Sequence, residues 1–375
     1  MISGERKRIY ITKPSITSLE IEYVNDAIRN GWGEKCYDYI KRFEKSFADY
    51  IGTKYALATS SCTGAIHLAL LAMGIKPGDE VIVPDITWIA SVEPIIYIGA
   101  KPVFVDMLED SWCIDPEKVE AAITSKTKAI LVVNIYGNLV ELDKILLIAK
   151  KYNLKVLEDA AEGLGSEYHG KKAGSIGDAG VFSFHGTKAI SSGEGGMLVT
   201  NDSTLIERAK ILNDHGRDAK VGKTFWMAEY GYKYKMSNLQ AAMGCAQIER
   251  ADELIKKKRE IFSWYKELFS DTKKYKLNPE PPDTKNSYWM PTVVFDKSLN
   301  LNREDLFTYM KKYNVDHRPF FYPLSSLPVF ENKIENKVAY DIYYRAINLP
   351  SFHDMTKEEA SYVFEIIHEY FKLKN

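Results

Sequence analysis

Lys188 lies in a stretch of sequence whose residue types suit covalent chemistry. It ends the segment FSFHGTK, residues 182–188, and the glycine-rich turn GEGG follows at 193–196. An amine that is buried beside small and aromatic residues loses its proton more readily, and a neutral lysine is the nucleophile that Schiff-base chemistry requires. A solvent-exposed lysine in a glycine-rich loop shows the same pattern, and the local sequence alone favours this second interpretation.

Acidic residues end another strand-like run. The run is KVLED, in which Glu158 and Asp159 are the last two residues, and Glu162 follows three positions later. A carboxylate at the end of a buried strand is well placed to hold a positive ring nitrogen or a metal ion, because a buried charge needs a partner. A helix cap or a solvated turn explains the same residues equally well.

The segment SSCTG, residues 60–64, lies between a predicted strand and a predicted helix. Small residues allow backbone N–H groups to point outward, and a helix N-terminus adds partial positive charge, so an anion such as a phosphate can bind there. An ordinary helix start, capped by serine or threonine, accounts for the segment as readily.

The three motifs together describe the binding site of pyridoxal 5'-phosphate. This cofactor needs a phosphate cup, a carboxylate that keeps its pyridine nitrogen protonated, and a lysine that reacts with its aldehyde. An aromatic side chain over the ring is the usual fourth part. Trp88, which follows a predicted strand in the segment PDITW, can supply it, although a tryptophan at this place can equally belong to the core.

The elements that must position these motifs alternate between strand and helix from about residue 43 to 200. Strands separated by helical stretches are typical of βαβ units and of a mainly parallel sheet covered by helices. Ligands bind such sheets at the carboxyl ends of the strands. The predicted strands are 54–58, 80–84, 102–106, 128–133, 155–159, 180–184 and 196–200. Helices are predicted at 64–73, at 91–98 and from Asp115 and Pro116, which form an N-cap and a first turn.

The pattern changes after Ser237. Residues 237–269 form a long, charge-rich helical stretch that contains neither proline nor glycine except Gly244, and this stretch is expected to bridge to a smaller domain. The proline-rich segment 278–287 is the best linker candidate. The remaining predicted elements are a strand within 287–295, a helix after Asn302 and a helix at 357–371. The expected division is a large cofactor-binding domain, 1–250, and a small α+β domain, 251–375.

Composition excludes several classes of protein. The 375 residues carry 50 basic and 51 acidic side chains, so the strongly basic surface of a nucleic-acid-binding protein is absent. No stretch approaches 18 uncharged apolar residues, and no apolar segment follows the basic start, so we expect neither a membrane span nor a secretory signal. The four cysteines are scattered and the seven histidines show no metal-ligand spacing, which favours a reducing cytoplasmic location and no metal site.

The sequence resembles the sugar aminotransferases of the DegT/DnrJ/EryC1/StrS family, a branch of the fold-type I pyridoxal phosphate enzymes, from about Ile9 to the C-terminus. The resemblance rests on the segments ATSSCTGAIHLAL, GDEVIVPDITWIAS, LEDAAEGLGSEYHGKKAGSIGD, FSFHGTKAISSGEGGMLVTND and YKYKMSNLQAAMGCAQIER. It implies an aspartate aminotransferase-like α/β fold with three αβα layers, a mainly parallel central sheet and a smaller α+β C-terminal domain. Within the family the sequence is most similar to enzymes that aminate 4-keto nucleotide sugars, the perosamine synthases among them.

The resemblance also implies roles for single residues. Lys188 would bind the cofactor aldehyde and move the proton between cofactor and substrate, Asp159 would pair with the pyridinium nitrogen, and Trp88 would stack on the ring. Asn238 is expected to reach the phosphate in the neighbouring subunit, so the active unit would be a homodimer with two shared sites. The residues expected around the phosphate are Ser61, Cys62, Thr63 and Ser183.

The remaining candidates are Glu162, which would contact the cofactor, and four residues that would meet the substrate. Glu162 would form a hydrogen bond near the ring hydroxyl or the reacting substituent, and His185 and Glu194 would line the same pocket. Arg217 would receive a donor carboxylate or a substrate phosphate through a bidentate fork, or else form a structural ion pair. Tyr322, in HRPFFYPLSSLPVF, stands where related sugar enzymes often have histidine, and its loop is expected to meet the substrate.

One further departure from the family pattern is Cys62, which stands where glycine is common. The expected reaction is transfer of the amino group of L-glutamate to a 4-keto-6-deoxy nucleotide sugar for surface polysaccharide or glycan synthesis. The alternatives are a small phosphorylated ketone such as dihydroxyacetone phosphate, a keto-cyclitol, or a cofactor-binding regulator without turnover. Family members that dehydrate their substrate have histidine in place of the lysine, and Lys188 argues against that reaction.

Overall fold

The computed structural model describes residues 7–227, 229–330, 334 and 336–374. Seven strands form the central sheet in the order β1-β9-β8-β5-β4-β2-β3. Its strands are β1 (Tyr55–Thr59), β2 (Glu80–Pro84), β3 (Lys101–Val105), β4 (Thr127–Val133), β5 (Lys155–Asp159), β8 (Ala179–Ser183) and β9 (Gly196–Thr200). Only β9 runs antiparallel to its neighbours within this sheet, so the predicted mainly parallel sheet is confirmed.

Helices cover both faces of the central sheet. The central strand β4 is an almost continuous apolar run, which is typical of a strand that is buried on both sides. The helix α3 is likewise buried nearly all round. The helices up to β9 and the one after it are α1 (Ser18–Asn30), α2 (Asp38–Ile51), α3 (Cys62–Ala72), α4 (Glu93–Tyr97), α5 (Pro116–Ala121), α6 (Leu142–Tyr152) and α7 (Ser203–Asn213).

A second, antiparallel sheet of four strands lies in the C-terminal third, in the order β10-β12-β14-β13. Its strands are β10 (Tyr275–Leu277), β12 (Thr292–Phe295), β13 (Arg318–Pro319) and β14 (Ala346–Asn348). A third sheet, in the order β11-β6-β7, consists of β6 (Glu167–Tyr168), β7 (Lys171–Lys172) and β11 (Thr284–Lys285). The remaining helices are α8 (Asn238–Glu249), α9 (Ala251–Leu268), α10 (Arg303–Lys312), α11 (Lys337–Ile342) and α12 (Lys357–Lys374).

The helix α9 connects two apolar cores. Leu254 and Ile255 pack with the core that contains α2 and α8, whereas Ile261 and Tyr265 pack with the core of the second sheet. Ile9 also belongs to this last core and pairs with Val315, so the N-terminal segment runs along the small sheet. The domain division at residue 250 remains a prediction.

Two sequence predictions need correction. The stretch 237–269 is not one helix, because the chain leaves the helical conformation at Arg250 (φ −103°, ψ 4°), between α8 and α9. Arg250 donates hydrogen bonds to Glu20 and to the carbonyl oxygen of Ser15. The strand predicted within 287–295 is shorter, since Tyr288 has a positive φ of 51° that breaks the extended run.

None of the helices within the described ranges combines the length and the apolar character that a membrane crossing requires.

Candidate active site

The sheet opens at the carboxyl ends of its parallel strands into a cavity of about 740 Å³. This is the place where parallel α/β sheets bind ligands, and the volume is within the range of small-molecule sites. The predicted site residues that line it are Ser61, Cys62, Thr63, Trp88, Asp159, Glu162, Ser183, His185, Lys188, Glu194 and Tyr322. The structure therefore brings together residues that lie up to 261 positions apart in the sequence.

Lys188 lies on the floor of the cavity with 14% of its side chain exposed. Its Nζ is 3.3 Å from Oε1 of Glu162 and 4.1 Å from the centroid of the Trp289 ring. The indole N–H of Trp289 donates to the carbonyl oxygen of Thr187, at 2.8 Å. This bond fixes the ring directly beside the amine, so the lysine is held between a carboxylate and an aromatic face.

Glu162 is buried, and its second oxygen accepts a hydrogen bond of 2.8 Å from the backbone amide of Tyr136. Burial raises the pKa of the Glu162 carboxyl, while the charge of Lys188 and the amide of Tyr136 oppose that shift. The protonation state of Glu162 therefore depends on the charge of its lysine partner.

Asp159 ends β5 and is 4% exposed. One carboxylate oxygen accepts a hydrogen bond of 2.7 Å from the Ser91 hydroxyl, and the other accepts from the amide of Ala161, at 3.0 Å. Burial raises the pKa of Asp159, and these two donors and the charge of Lys188 act against it. A buried carboxylate that faces a cavity in this way is stabilised by a cation placed beside it.

The N-terminus of α3 forms one end of the cavity. Its N-cap, Ser61, accepts a hydrogen bond at Oγ from the amide of Gly64, at 3.1 Å. The amides of Cys62 and Thr63, in the first turn, have no hydrogen-bond partner among the described residues. Gly196 lies against this turn, and a Cβ atom there would approach the Cys62 nitrogen to 2.5 Å. A side chain at residue 196 would therefore displace the helix start.

Trp88 borders the cavity from the other side and is 60% exposed. Its ring centroid lies 6.2 Å from that of Phe321, in the loop after β13. A large exposed indole on a cavity wall is available to stack on a planar ligand.

Comparison with known proteins agrees with this geometry. A model of the DegT/DnrJ/EryC1/StrS aminotransferase family matches residues 14–368. GDP-perosamine synthase of Escherichia coli O157:H7 is 41% identical, over 98% of this chain and 100% of that protein. The putative pyridoxal phosphate-dependent aminotransferase EpsN of Bacillus subtilis is 34% identical, over 96% of this chain and 95% of that protein. The solved structure of S. venezuelae DesV in complex with a ketimine intermediate is similar, with a TM-score of 0.88 and 26% identity, and the match covers 98% of this chain and 99% of that chain.

The chain belongs to the DegT/DnrJ/EryC1/StrS aminotransferase family. The family and the activity class predicted from the motifs are thereby confirmed, and so is the fold. The family depends on pyridoxal phosphate.

Two predicted site residues of the aminotransferase lie outside the cavity of this chain. The Asn238 side chain accepts from the amide of Tyr39 at 3.1 Å and donates to the carbonyl oxygen of Gly31 at 3.3 Å. Arg217 is half exposed and lies 3.9 Å from Asp214, which is the structural ion pair considered as its alternative role. In a single chain, neither residue reaches Lys188.

The other polar candidates lie near the mouth of the cavity. The His185 ring is 3.7 Å from the Glu194 carboxylate, and both side chains are largely exposed. The Ser183 hydroxyl accepts from the amide of His185 at 3.3 Å. Burial raises the pKa of the Cys62 thiol well above its usual value, so the thiol stays neutral.

Sequence reasoning missed several residues of the aminotransferase site. Trp289 lies beside Lys188, and the amide of Tyr136 donates to Glu162. The sequence around Trp289 indicates only a strand, and the sequence around Tyr136 indicates only a connection between elements. Arg318 lines the cavity and forms neither an ion pair nor a side-chain hydrogen bond among the described residues. It stands in the quoted segment HRPFFYPL, so the nearby Tyr322 was a signal that this loop meets the ligand.

Proposed function

We propose that this aminotransferase uses pyridoxal 5'-phosphate to move the amino group of L-glutamate to a 4-keto-6-deoxy nucleotide sugar in polysaccharide or glycan synthesis. One observation carries the proposal: the amine of Lys188 and the buried carboxylate of Asp159 border the same cavity. They are the two functional groups that this cofactor requires from a protein. The similarity to GDP-perosamine synthase supports the choice of a nucleotide sugar.

The cavity fits the cofactor at both of its ends. The unpaired amides of Cys62 and Thr63 at the start of α3 suit a phosphate, because a helix N-terminus concentrates partial positive charge. The Asp159 carboxylate suits a protonated ring nitrogen, since burial makes an unpaired carboxylate costly. The exposed face of Trp88 suits stacking on the ring. When bound, the cofactor supplies an aldehyde that takes up the amino group and a protonated ring that withdraws electrons from the reacting carbon.

Lys188 would hold the cofactor and transfer protons at the reacting carbon. A proton shuttle must gain and lose its proton easily, and the Glu162 carboxylate 3.3 Å away can stabilise the charged amine. The Trp289 ring excludes water from one side of Nζ. Together they restrict the lysine to one side of the cavity, so its proton is delivered to one face of the substrate.

Arg318 would bind the carboxylate of the amino donor. Its guanidinium is partly buried at the cavity wall without an acidic partner among the described residues. A bidentate arginine–carboxylate pair both anchors and orients a small amino acid.

The shape of the cavity supports a substrate larger than an amino acid. Trp88, Phe321 and Tyr322 all line the cavity, and together they form an aromatic wall in which the centroids of the Trp88 and Phe321 rings lie 6.2 Å apart. Such a wall offers contacts to a sugar or a base that a small phosphorylated ketone would leave unused.

The active unit would be a homodimer with shared sites. The chain exposes large aromatic side chains in one segment, among them Phe225 at 86% and Tyr230 at 99% exposure. An exposed apolar group of this size is typical of a protein interface. All four cysteines are free, which supports a reducing, cytoplasmic location.

The experiment that tests this function is a substrate panel. The reconstituted enzyme is incubated with L-glutamate and, in turn, with GDP- and dTDP-linked 4-keto-6-deoxyhexoses, dihydroxyacetone phosphate and a keto-cyclitol, and product masses are recorded. The proposal expects an aminated nucleotide sugar. Amination of the small ketones alone would contradict the nucleotide-sugar assignment, and the absence of 2-oxoglutarate formation with every acceptor would contradict transamination from glutamate.

A further inference from the structure

Arg303 is a buried cation whose ion-pair partner is a solvent-exposed carboxylate. It is 2% exposed and is the first residue of α10. The nearest acidic group is Glu304, whose oxygen lies 3.7 Å from Nε and whose side chain is 73% exposed. The Nε atom is buried and has no hydrogen-bond partner in the described part of the chain.

Four aromatic rings enclose this guanidinium. The centroids of Phe307, Tyr322, Tyr343 and Tyr344 lie 5.9, 5.1, 5.7 and 5.7 Å from its central carbon. Burying an arginine whose carboxylate partner stays in solvent costs free energy, and the positive end of a helix dipole adds to that cost. An apolar side chain would fill the same space more favourably, so packing alone does not account for an arginine here.

The two hydrogen bonds of Arg303 show what the charge does. Nη1 donates to the carbonyl oxygen of Tyr343 at 2.6 Å, and Nη2 donates to the phenol oxygen of Tyr322 at 2.9 Å. Arginine can only donate, so the Tyr322 oxygen must accept this bond. Its own O–H is then left to donate to something else.

Tyr322 lines the cavity, whereas Arg303 does not. Tyr322 is 46% exposed, whereas 14% of the Lys188 side chain is exposed, so Tyr322 is the more open of these two cavity-lining residues. A large acceptor has a non-reacting part that can contact such a residue while its reacting carbon is held at the amine.

We propose that Arg303 is a positioning residue that fixes Tyr322 as a hydrogen-bond donor to an acceptor oxygen of the keto-sugar substrate. The inference rests on the proposed function and deepens it, because it assigns Tyr322 to the amino acceptor rather than to the donor. A phenol that already accepts from arginine has only one proton to offer, in one direction.

The test separates positioning from packing by a double-mutant cycle. The variants are Y322F, R303M, R303K and the double variant Y322F/R303M. The matched control is Y344F, because Tyr344 also has its ring beside Arg303 but does not line the cavity, and the substitution removes only its hydroxyl group. For each variant, KM and kcat are measured with a GDP-linked 4-keto-6-deoxyhexose and with L-glutamate. The dissociation constant of GDP-perosamine is measured by calorimetry, and thermal unfolding is recorded.

The loss of one hydrogen bond predicts that Y322F raises the KM for the sugar and the dissociation constant of GDP-perosamine about five-fold. R303M should have a similar effect in the wild-type background and none in the Y322F background, because it acts through the phenol. R303K keeps a donor and should fall between R303M and the wild type. The KM for L-glutamate should stay near the wild-type value, and Y344F should match the wild type.

Three results would each overturn the proposal. The first is wild-type sugar affinity in Y322F, and the second is an equal effect of R303M with and without the Tyr322 hydroxyl. The third is an equal rise of both KM values in R303M, since it would indicate general damage to the site. If R303M does not fold, Y322F and R303K decide the question. A wild-type enzyme that consumes glutamate but aminates no nucleotide sugar contradicts the proposed function instead, so the two failures are distinguishable.

Discussion

Three largely buried ionisable side chains influence one another's protonation at the centre of this site. Burial raises the pKa of both Asp159 and Glu162, and the positive charge of Lys188 lowers it in both cases. The two carboxylates also repel each other, because the charge of Asp159 raises the pKa of Glu162. The neutral hydrogen-bond donor Ser91 therefore matters to Asp159, since it favours the charged carboxylate without adding another ionisable group.

Replacing Ser91 should shift the pH dependence of cofactor binding. The Ser91 hydroxyl lowers the pKa of Asp159, so S91A raises it and Asp159 becomes protonated at a higher pH. A protonated, neutral aspartate no longer pairs with a positively charged ring nitrogen, so affinity for pyridoxal phosphate should fall as the pH decreases. In S91A this fall should begin about half to one pH unit higher than in the wild type. Dissociation constants measured from pH 5 to 9 check this.

The matched control is T87V. It removes the Thr87 hydroxyl, which forms a hydrogen bond of 2.9 Å with the Ser91 hydroxyl, and it leaves the hydrogen bond from Ser91 to Asp159 in place. An S91A profile identical to that of the wild type would contradict the role given to the hydroxyl.

Replacing Arg318 should affect the amino donor. R318M removes the only arginine among the described cavity-lining residues, and the loss of a charged hydrogen-bond donor is expected to raise the KM for L-glutamate about 10- to 100-fold. R318K should recover part of this loss, because lysine keeps the charge but not the bidentate geometry. Steady-state kinetics with each substrate varied separately checks this, and a rise confined to the KM for the nucleotide sugar would assign Arg318 to a substrate phosphate instead.

The central residues were predictable because their sequence neighbours identify them. Asp159 ends β5 and Lys188 follows β8, and strand ends are recognisable in the sequence. Trp289, Tyr136 and Arg318 were missed because tertiary packing brings Trp289 to Lys188, Tyr136 to Glu162 and Arg318 to the cavity wall, and nothing in their local sequence records this.

At the scale of elements, one carboxylate joins the large sheet to the loop that carries Tyr322. Asp85 follows β2 and accepts hydrogen bonds from the amide and hydroxyl of Ser325, both at 2.7 Å, and from the Asn336 side chain at 2.8 Å. Its carbonyl oxygen accepts from the amide of Leu324. Trp88 lies three residues after Asp85, so the two sides of the aromatic wall share one anchor.

Weakening this anchor should loosen the loop. D85N replaces one carboxylate oxygen of Asp85, which accepts hydrogen bonds, by an amide NH₂ group, which donates them. The groups of Ser325 and Asn336 that face it are also donors, and a buried donor left without an acceptor costs roughly 1–3 kcal/mol. Amide hydrogen exchange in peptides that cover 323–327 should accelerate about 10-fold or more, and the KM for the sugar should rise. D49N, on the exposed face of α2, is the control. Unchanged exchange at 323–327 would contradict the anchoring role.

Most element boundaries follow from local signals, but two do not. The bounds of β2, β5 and β9 agree with the sequence prediction, because turns and small residues delimit them. The break at Arg250 arises from its bonds to the distant Glu20 and Ser15, which the helical charge pattern cannot reveal. The start of α3 lies two residues earlier than predicted, since Ser61 rather than Thr63 provides the cap.

At the scale of the whole molecule, the proposed homodimer with shared sites can be tested by complementation. A K188A chain and an N238A chain each lack one half of the proposed site. In a mixed dimer one site contains both defects, and the other contains Lys188 of one chain and Asn238 of its partner, so it is intact.

Random mixing of equal amounts of the two inactive variants should therefore restore about a quarter of the wild-type activity, since about half of the dimers are mixed and each has one intact site. The measurement is turnover after denaturation and co-refolding, with each variant refolded alone as the control. Sedimentation should show dimers in every sample. Recovery of no activity in mixed dimers would contradict the assignment of Asn238 to the neighbouring site.

The most direct test of the account is the position of the covalent bond to the cofactor. The enzyme is reconstituted with pyridoxal 5'-phosphate, reduced with borohydride so that a bond between the aldehyde and a lysine becomes permanent, and digested for peptide mass mapping. The account predicts one modified lysine, Lys188, and protection of that residue when L-glutamate is added before reduction. Modification of a different lysine, or of none, would contradict it.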